Sequence, residues 1–370
     1  MYIWEATDWP KFSWEPAEVL EPLATARHRQ GLLLGRMLSL GFELRQEARL
    51  QAVTEEVVRS SEIEGEHLER ASVRSSVARR LGLPEGVSAP RDQKTEGVVA
   101  MMLDATSRFA QPLTSERLMG WHAAMFPTGH SGLLRITTGG WRDDAAGPMQ
   151  VVSGPLGRER VHYQAPPAER LDAEMGRFLT WFNAPYRGNG LVRAALAHLW
   201  FVTIHPFDDG NGRIARAITD MALAQLEHSE QRFYSVSSQI LRERSAYYDQ
   251  LERSQKGTLD VTSWLVWFLE CYSRAIDAAE ATCADVLKRA AFWHRHPREP
   301  FNPRQRSVLS RLLDAFEGKL TAKKWAALAK CSVDTAQRDL NDLVTRGILV
   351  KNPGGGKNTS YTLVVDETAT

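Results

Sequence analysis

The segment from His205 to Arg216 reads His-Pro-Phe-Asp-Asp-Gly-Asn-Gly-Arg-Ile-Ala-Arg, and it gathers a histidine, two acids, two glycines, an amide and two arginines within twelve residues. Pro206 stops a preceding helix from running on regularly. Gly210 and Gly212 can take φ > 0 and let backbone N–H groups approach a ligand. A helix that opens here presents exposed donors, which suit an anion. Arg213 and Arg216 fall in its first turn, where each cation opposes the helix dipole by roughly 0.3–1 kcal/mol. A bound anion reverses that sign, and a polyphosphate fits two guanidinium forks beside a glycine backbone. Asp209 then suits magnesium, which takes one or two carboxylates together with phosphate oxygens. His205 has the pKa range needed to take a proton from a hydroxyl near neutral pH. Any one of these residues also fits a solvated helix–helix turn; the combination argues against it. The tract Lys351-Asn-Pro-Gly-Gly-Gly-Lys-Asn358 is no competing nucleotide loop, because it lacks the leading Gly and the Ser/Thr after Lys.

The same stretch resembles, without a gap, the signature H-x-F-x-D/E-G-N-G-R-x-x-R of the Fic family (Fido superfamily), most of whose members transfer AMP from ATP to Ser, Thr or Tyr of proteins. The resemblance implies His205 as the base, Asp209 as the magnesium or manganese ligand, and Gly210, Asn211 and Gly212 as the phosphate cradle. It further implies Arg213 and Arg216 as phosphate-gripping arginines and Phe207 as the buried anchor of the loop. The phosphorylating Doc branch carries Ala and Lys where this chain has Gly210 and Gly212, which points to AMP transfer. Tyr247 and Tyr248 resemble an aromatic pair lining the adenine pocket, or are core. Glu243 stands where the family pattern expects Asn in that pocket. Ser60-Ser-Glu-Ile-Glu-Gly65 matches the family's inhibitory motif (S/T)-x-x-x-E-(G/N), whose glutamate, here Glu64, reaches Arg216. A carboxylate at a helix C-terminus is mildly unfavourable alone, and an arginine partner compensates.

These residues need elements to position them. Pro16 opens one helix, and residues 45–63 form an amphipathic run that stops at Gly65. A loop from Leu83 to Pro90 marks a boundary. From about 92 to 290 the pattern is helical, with Leu191–Ile204 and Ile214–Leu226 as buried helices. Met149–Ser153 and Arg160–Tyr163, around Gly154-Pro-Leu-Gly157, predict a β-hairpin. It resembles the family's flap, which aligns a target by strand addition, or it is an ordinary surface hairpin. After a break from His294 to Pro303, the chain predicts helix, helix, helix and two strands, Gly347–Val350 and Ser360–Leu363. Leu320–Ala329 is the second of those helices. The third is capped at Ser332 and buries Val333, Ala336, Leu340 and Leu343. This unit resembles a winged helix. Its 11 basic and 7 acidic residues from 303 onward suit phosphate contacts. Asp334, Asp339 and Asp342 on the exposed face of the third helix repel phosphate, so protein docking or dimerisation is favoured over DNA.

The 370 residues hold 46 basic and 45 acidic side chains, so no global field draws the chain to nucleic acid or membrane. Cys271, Cys283 and Cys331 form no CxxC pair, against a disulfide frame or a zinc site. No apolar run reaches the ~18 residues of a membrane span. The N-terminus shows no signal-peptide pattern, and the expected compartment is the cytoplasm. The expected fold is mainly α, in three parts: an N-terminal helical region (1–90) carrying the inhibitory helix, a helical Fic core (91–295) with a β-hairpin flap, and a C-terminal winged-helix domain (303–365). The expected activity is protein adenylyltransfer from ATP to a protein hydroxyl, with self-modification and inhibition by Glu64. Two alternatives stand beside it: removal of AMP at the same site, and a nucleotide-sensing, DNA-binding regulator.

Overall fold

A computed structural model describes residues 1–83, 92–154, 158, 160–296, 299–313, 318–353 and 359–364. Most of the loop expected at 83–90, the hairpin turn at 155–157 and most of the glycine tract at 353–358 lie outside the described residues. The chain divides into two compact units, Met1–Ala279 and Glu280–Thr370. The N-terminal helices and the segment around His205 belong to the same unit. No helix among the described residues is long and apolar enough to cross a membrane.

The first unit begins with α1 (Pro16–Ser39), where Pro16 sits at the first helical position and the Glu15 carboxylate accepts the Ala17 N–H. Next comes α2 (Phe42–Ile63), which ends in a Schellman turn. Gly65 there takes φ 79°, its N–H donates to Glu62 O, and the Glu66 N–H donates to Ser61 O, both at 3.0 Å. That turn fixes the directions in which Glu64 and Glu66 leave the helix. Helices α3 (Arg70–Arg80), α4 (Gln93–Ser107) and α5 (Ser115–Met125) follow, the last two capped by Asp92 and Thr114. The short strands β1 (His130–Ser131) and β2 (Leu134–Arg135) pair antiparallel. So do β3 (Gln150–Ser153) and β4 (Arg160–Gln164), in the register Gln150↔Gln164 with an irregularity between Val151 and Val152.

After α6 (Leu171–Asn183), helices α7 (Gly190–Ile204) and α8 (Asn211–Glu227) pack on each other at the centre of the unit. Almost every side chain of α7 is buried, so its apolar run has no polar face to show. A short α9 (Val236–Arg242), then α10 (Arg244–Lys256) and the part of α11 (Thr262–Arg295) up to Ala279 complete the helical layer. The Glu56 carboxylate of α2 accepts the Ser235 hydroxyl at 2.7 Å and the Ser237 N–H at 3.0 Å. It thereby caps α9 and docks α2 on the core.

The second unit contains α12 (Pro303–Leu313), β5 (Leu320–Thr321), α13 (Ala322–Ala329), α14 (Val333–Thr345), β6 (Leu349–Lys351) and β7 (Ser360–Leu363), with the strands in the order β5-β7-β6. Trp325, Val308, Leu340, Leu343, Ile348 and Tyr361 share its core. Three expectations are corrected here. Leu320 and Thr321 are strand rather than helix, pairing with Tyr361 and Ser360. The Thr321 hydroxyl caps α13 instead, accepting the Lys324 N–H at 3.3 Å. Val333 is 47% exposed, because it occupies the first helical position, ahead of the turns that pack. Asp339 is buried rather than exposed: it accepts Arg304 Nε at 3.1 Å and Asn302 Nδ2 at 2.9 Å, and this pairing draws it into the interior. Asp334 and Asp342 remain exposed.

Candidate functional site

The turn between α7 and α8 begins at His205, which caps α7 in the left-handed conformation (φ 52°, ψ 57°). For a residue with a Cβ this costs about 1–2 kcal/mol. Its Nδ1 lies 3.2 Å from Val202 O. An Nδ1–H donating there leaves Nε2 as the unprotonated nitrogen. Burial lowers the imidazole pKa to about 4, opposed by the Val202 carbonyl and reinforced by Arg142. His205 is therefore neutral at pH 7.

The loop that follows is tied by its own side chains. Asn211 Oδ1 accepts the Phe207 N–H at 3.0 Å, and Asn211 Nδ2 donates to Phe207 O at 2.7 Å. The Asn211 amide thus shapes the loop. Phe207 is completely buried and stacks on His122, with ring centroids 4.3 Å apart and planes 5° from parallel. His122 Nδ1 accepts the Gly139 N–H at 3.3 Å, so its Nε2–H donates to Asp209 O at 3.2 Å. Burial pushes this histidine down to about 4 as well. Asp209 itself is half-exposed: one oxygen accepts the Ser131 hydroxyl and the other the Gly210 N–H. Gly210 takes φ 81°, and a Cβ there would meet Met125 Cε at 3.0 Å.

Arg213 and Arg216 are both buried at the start of α8. Arg213 Nη1 donates to Glu66 Oε2 at 2.5 Å, and Glu66 also accepts Lys94 Nζ at 2.6 Å. Arg213 Nε and Nη2 make no hydrogen bond among the described residues, and Nη2 lies 3.7 Å from Asp209 Oδ1. Arg216 donates through Nε to Ser60 Oγ at 2.8 Å, and through Nη2 to Ser60 O at 2.7 Å and Glu64 Oε1 at 2.8 Å; its Nη1 makes no hydrogen bond among the described residues. Ser60 and Glu64 lie at i and i+4 on one face of the end of α2, and their spacing lets them hold one guanidinium together. Gly212 faces the same carboxylate.

The aromatic pair divides. Tyr247 is buried, with its hydroxyl 2.9 Å from His198 Nε2. Tyr248 is 38% exposed and donates to Ile63 O at 3.3 Å, on the last turn of α2. Glu243, at the junction of α9 and α10, is held by Arg274 Nε and Nη2, each at 2.6 Å, with Gln239 as a further partner. Burial pushes the Glu243 carboxyl up, but the Arg274 and Gln239 hydrogen bonds outweigh it and keep the group below its ordinary pKa. The structure therefore brings Glu64, Arg213, Arg216 and Gly212 together and leaves Glu243 in a separate ion pair. Sequence reasoning missed Ser131, Glu66, Lys94, His122 and Arg142. Only Glu66, two residues after Glu64, carried a local signal.

Residues 112–223, which include the whole turn, match the Fic/DOC family. Residues 2–83 match a domain of unknown function, DUF4172. The chain is 32% identical over 123 residues to the protein adenylyltransferase Fic of Nematostella vectensis, across 32% of this chain and 26% of that protein. It is 30% identical over 109 residues to the protein of the same name in Culex quinquefasciatus, across 29% of this chain and 20% of that one. The chain thus spans about a quarter or less of these relatives' length. A Fic family protein from Desulfovibrio desulfuricans superposes with a TM-score of 0.54 at 20% identity, covering 97% of this chain and 99% of its own. A Fic domain-containing signalling protein from Bacteroides thetaiotaomicron gives 0.50 at 17% identity, covering 72% and 97%. At these identities the likeness is one of fold.

Proposed function

We propose that this chain is an autoinhibited protein adenylyltransferase that moves AMP from ATP to a hydroxyl of a protein, itself included. The observation that carries the reading is the pair of buried arginines at the start of α8, with N–H groups that make no hydrogen bond among the described residues, on the helix that follows a neutral histidine. Unpartnered buried guanidinium N–H groups are costly, and phosphate oxygens are their natural acceptors. Relatives named protein adenylyltransferase at about 30% identity support the same class.

In the proposed reaction the target hydroxyl oxygen attacks the α-phosphorus of ATP. A P–O bond forms to the target, the bond to the bridging oxygen of the β-phosphate breaks, and pyrophosphate leaves. His205 Nε2 takes the hydroxyl proton. Arg213, Arg216 and the first N–H groups of α8 hold the phosphates. Asp209 is a single half-exposed carboxylate, and no cluster of three or more His, Cys, Asp or Glu able to hold a metal occurs among the described residues. That donor set fits magnesium or manganese completed by phosphate oxygens and water. The ion would neutralise phosphate charge.

Glu64 is the brake in this reading, because it takes up the Arg216 fork and the space over Gly212. Glu66 differs: it holds Arg213 by Nη1 alone, while Nη2 lies 3.7 Å from Asp209 Oδ1 and makes no hydrogen bond among the described residues, so Glu66 orients that arginine. The β3–β4 hairpin serves as the flap. A groove of about 840 Å³ beside β3, lined by Leu134, Ile136, Thr137, Gln150 and Asp208 among others, suits an extended target segment. Tyr248, half-exposed against the end of α2, is the better of the two tyrosines for stacking adenine; Glu243 is assigned to structure. The parts 1–90, 91–295 and 303–365 act as brake region, catalytic core and winged helix in a cytoplasmic protein. The acids Asp334 and Asp342 favour docking of a protein or a second copy over DNA. A second reading, removal of AMP, draws on the Glu64 carboxylate, which could orient water at the same site.

Incubating the Glu64→Gly variant with ATP labelled in the α-phosphate tests the proposal. Covalent label on this protein or another supports it. Retention of ATP without any transferred label overturns it. Release of AMP from a pre-labelled target by the wild type favours the second reading.

A further inference from the structure

Arg142 lies far from the His205–Arg216 segment in sequence, between β2 and β3, yet its side chain is completely buried. Its backbone N–H donates to Pro206 O at 2.9 Å. Its Nε donates to His205 O at 2.8 Å, its Nη2 to Pro166 O at 2.5 Å, and its Nη1 to Asp144 Oδ1 at 2.7 Å. The other Asp144 oxygen accepts the Ala168 N–H at 2.7 Å. One residue therefore grips the carbonyls of the left-handed histidine and of its successor, together with a carbonyl just past the end of β4.

A guanidinium is planar, with its N–H groups in fixed directions. Moving the hairpin exit against the α7–α8 turn would break one of these charge-assisted bonds. A second tie runs beside it: the buried Tyr163 of β4 donates to Thr203 O at 2.5 Å, in the last turn of α7. The strained conformation of His205 has no glycine to ease it, and Arg142 is the polar group that holds its carbonyl.

We infer that Arg142 is a positioning residue for AMP transfer: it holds His205 in its left-handed conformation and couples that base to the β3–β4 hairpin. The inference rests on the reading of His205 as the base. A target strand on β3 and the group that deprotonates it are then placed by the same buried cation.

The test uses the full chain with Glu64→Gly as parent, adding Arg142→Gln or Arg142→Lys. Displacement of a base by about 1 Å can cost ~10²-fold. Arg142→Gln should lower kcat for transfer on that order, with KM for ATP within about twofold of the parent, since the phosphate-holding groups lie on α8. Arg142→Lys keeps the charge and one carbonyl contact, so its kcat should recover to between the two. Hydrogen exchange followed by mass spectrometry should show segments 160–166 and 201–206 loosening together in Arg142→Gln. A parental kcat in both variants overturns the inference, as does loosening of one segment without the other. If Arg142→Gln does not fold, Arg142→Lys decides: a reduced kcat at unchanged KM supports the role, and parental values overturn it. If the Glu64→Gly parent transfers no label, the functional reading fails, and paired or unpaired loosening still decides the coupling.

Discussion

Glu64 occupies the space that a side chain at residue 212 would need: a Cβ built on Gly212 lies 2.1 Å from Glu64 Oε1. The first turn of α8 favours an anion, and the chain supplies its own. In the proposed reaction a phosphate of ATP takes that place.

Glu64→Gly should therefore raise self-labelling by an order of magnitude or more, read as AMP incorporated per minute. Arg216→Ala should not activate, because the phosphate loses the same fork, and the double variant should match Arg216→Ala. Gly212→Ala should fold, since the flexible tip of Glu64 can move aside, yet gain no activity, because the new methyl fills the cradle. Activation by Gly212→Ala would show that Glu64 alone, and not the space over residue 212, limits the reaction. Glu64→Gly also removes the carboxylate partner of a buried Arg216. With the Glu64 side chain 27% exposed, the loss should be about 1–3 kcal/mol, below the range for a fully buried pair. Urea unfolding measures it.

Glu66 should behave in the opposite sense. Glu66→Ala in the Glu64→Gly background removes the acceptor of Arg213 Nη1 and leaves a buried guanidinium without that anchor. Labelling should fall several-fold, with a higher KM for ATP. A further rise in labelling would make Glu66 a second brake instead.

His205→Ala should reduce transfer by roughly 10²–10⁴-fold with ATP affinity little changed. Its pKa, lowered to about 4 by burial, keeps the base neutral well below pH 6.5. Activity should therefore hold as pH falls from 7 to about 5 and be lost only nearer 4, in a pH–rate profile of kcat. A limb near 6.5 would mean that the ring is solvated in the working state.

Transfer should require magnesium or manganese, and Asp209→Ala should abolish it. Undiminished labelling in excess EDTA would remove Asp209 from its assigned role. Ser131→Ala leaves the carboxylate in place without its hydroxyl partner, and should raise the metal concentration for half-maximal rate.

His198 is buried between Thr219 and Tyr247, and burial lowers its pKa to about 3. Between its unfolded pKa of ~6.5 and that value, the unfolded chain binds the extra proton. Its contribution to stability is thus steady above pH ~6.5 and falls by roughly 1.4 kcal/mol per pH unit below it. Asp220, raised to about 7 chiefly by burial and by Glu56, works in the opposite sense over the same range. Comparing wild type with His198→Asn isolates the histidine, because Asp220 titrates in both. Parallel plots of unfolding free energy against pH would contradict the assignment.

Whatever the backbone decides within a turn or two is legible along the chain. Pro206 ends one helix, Gly65 closes another, and Ser60 and Glu64 share a face because a helix repeats every 3.6 residues. The grouping of His205, Asp209, Arg213 and Arg216 is likewise local, set by the turn and the first rung of α8. Partners that arrive from elsewhere in the chain come into view only in the fold. Arg142 grips His205 O, Glu66 pairs with Arg213, Ser131 donates to Asp209, and His122 stacks on Phe207. None of these pairs has a characteristic spacing, because which faces meet depends on burial summed over every helix rather than on any one segment. The same holds for charge: a histidine's pKa follows from how completely its neighbours exclude water, and Asp339 is buried because Arg304 meets it across two helices.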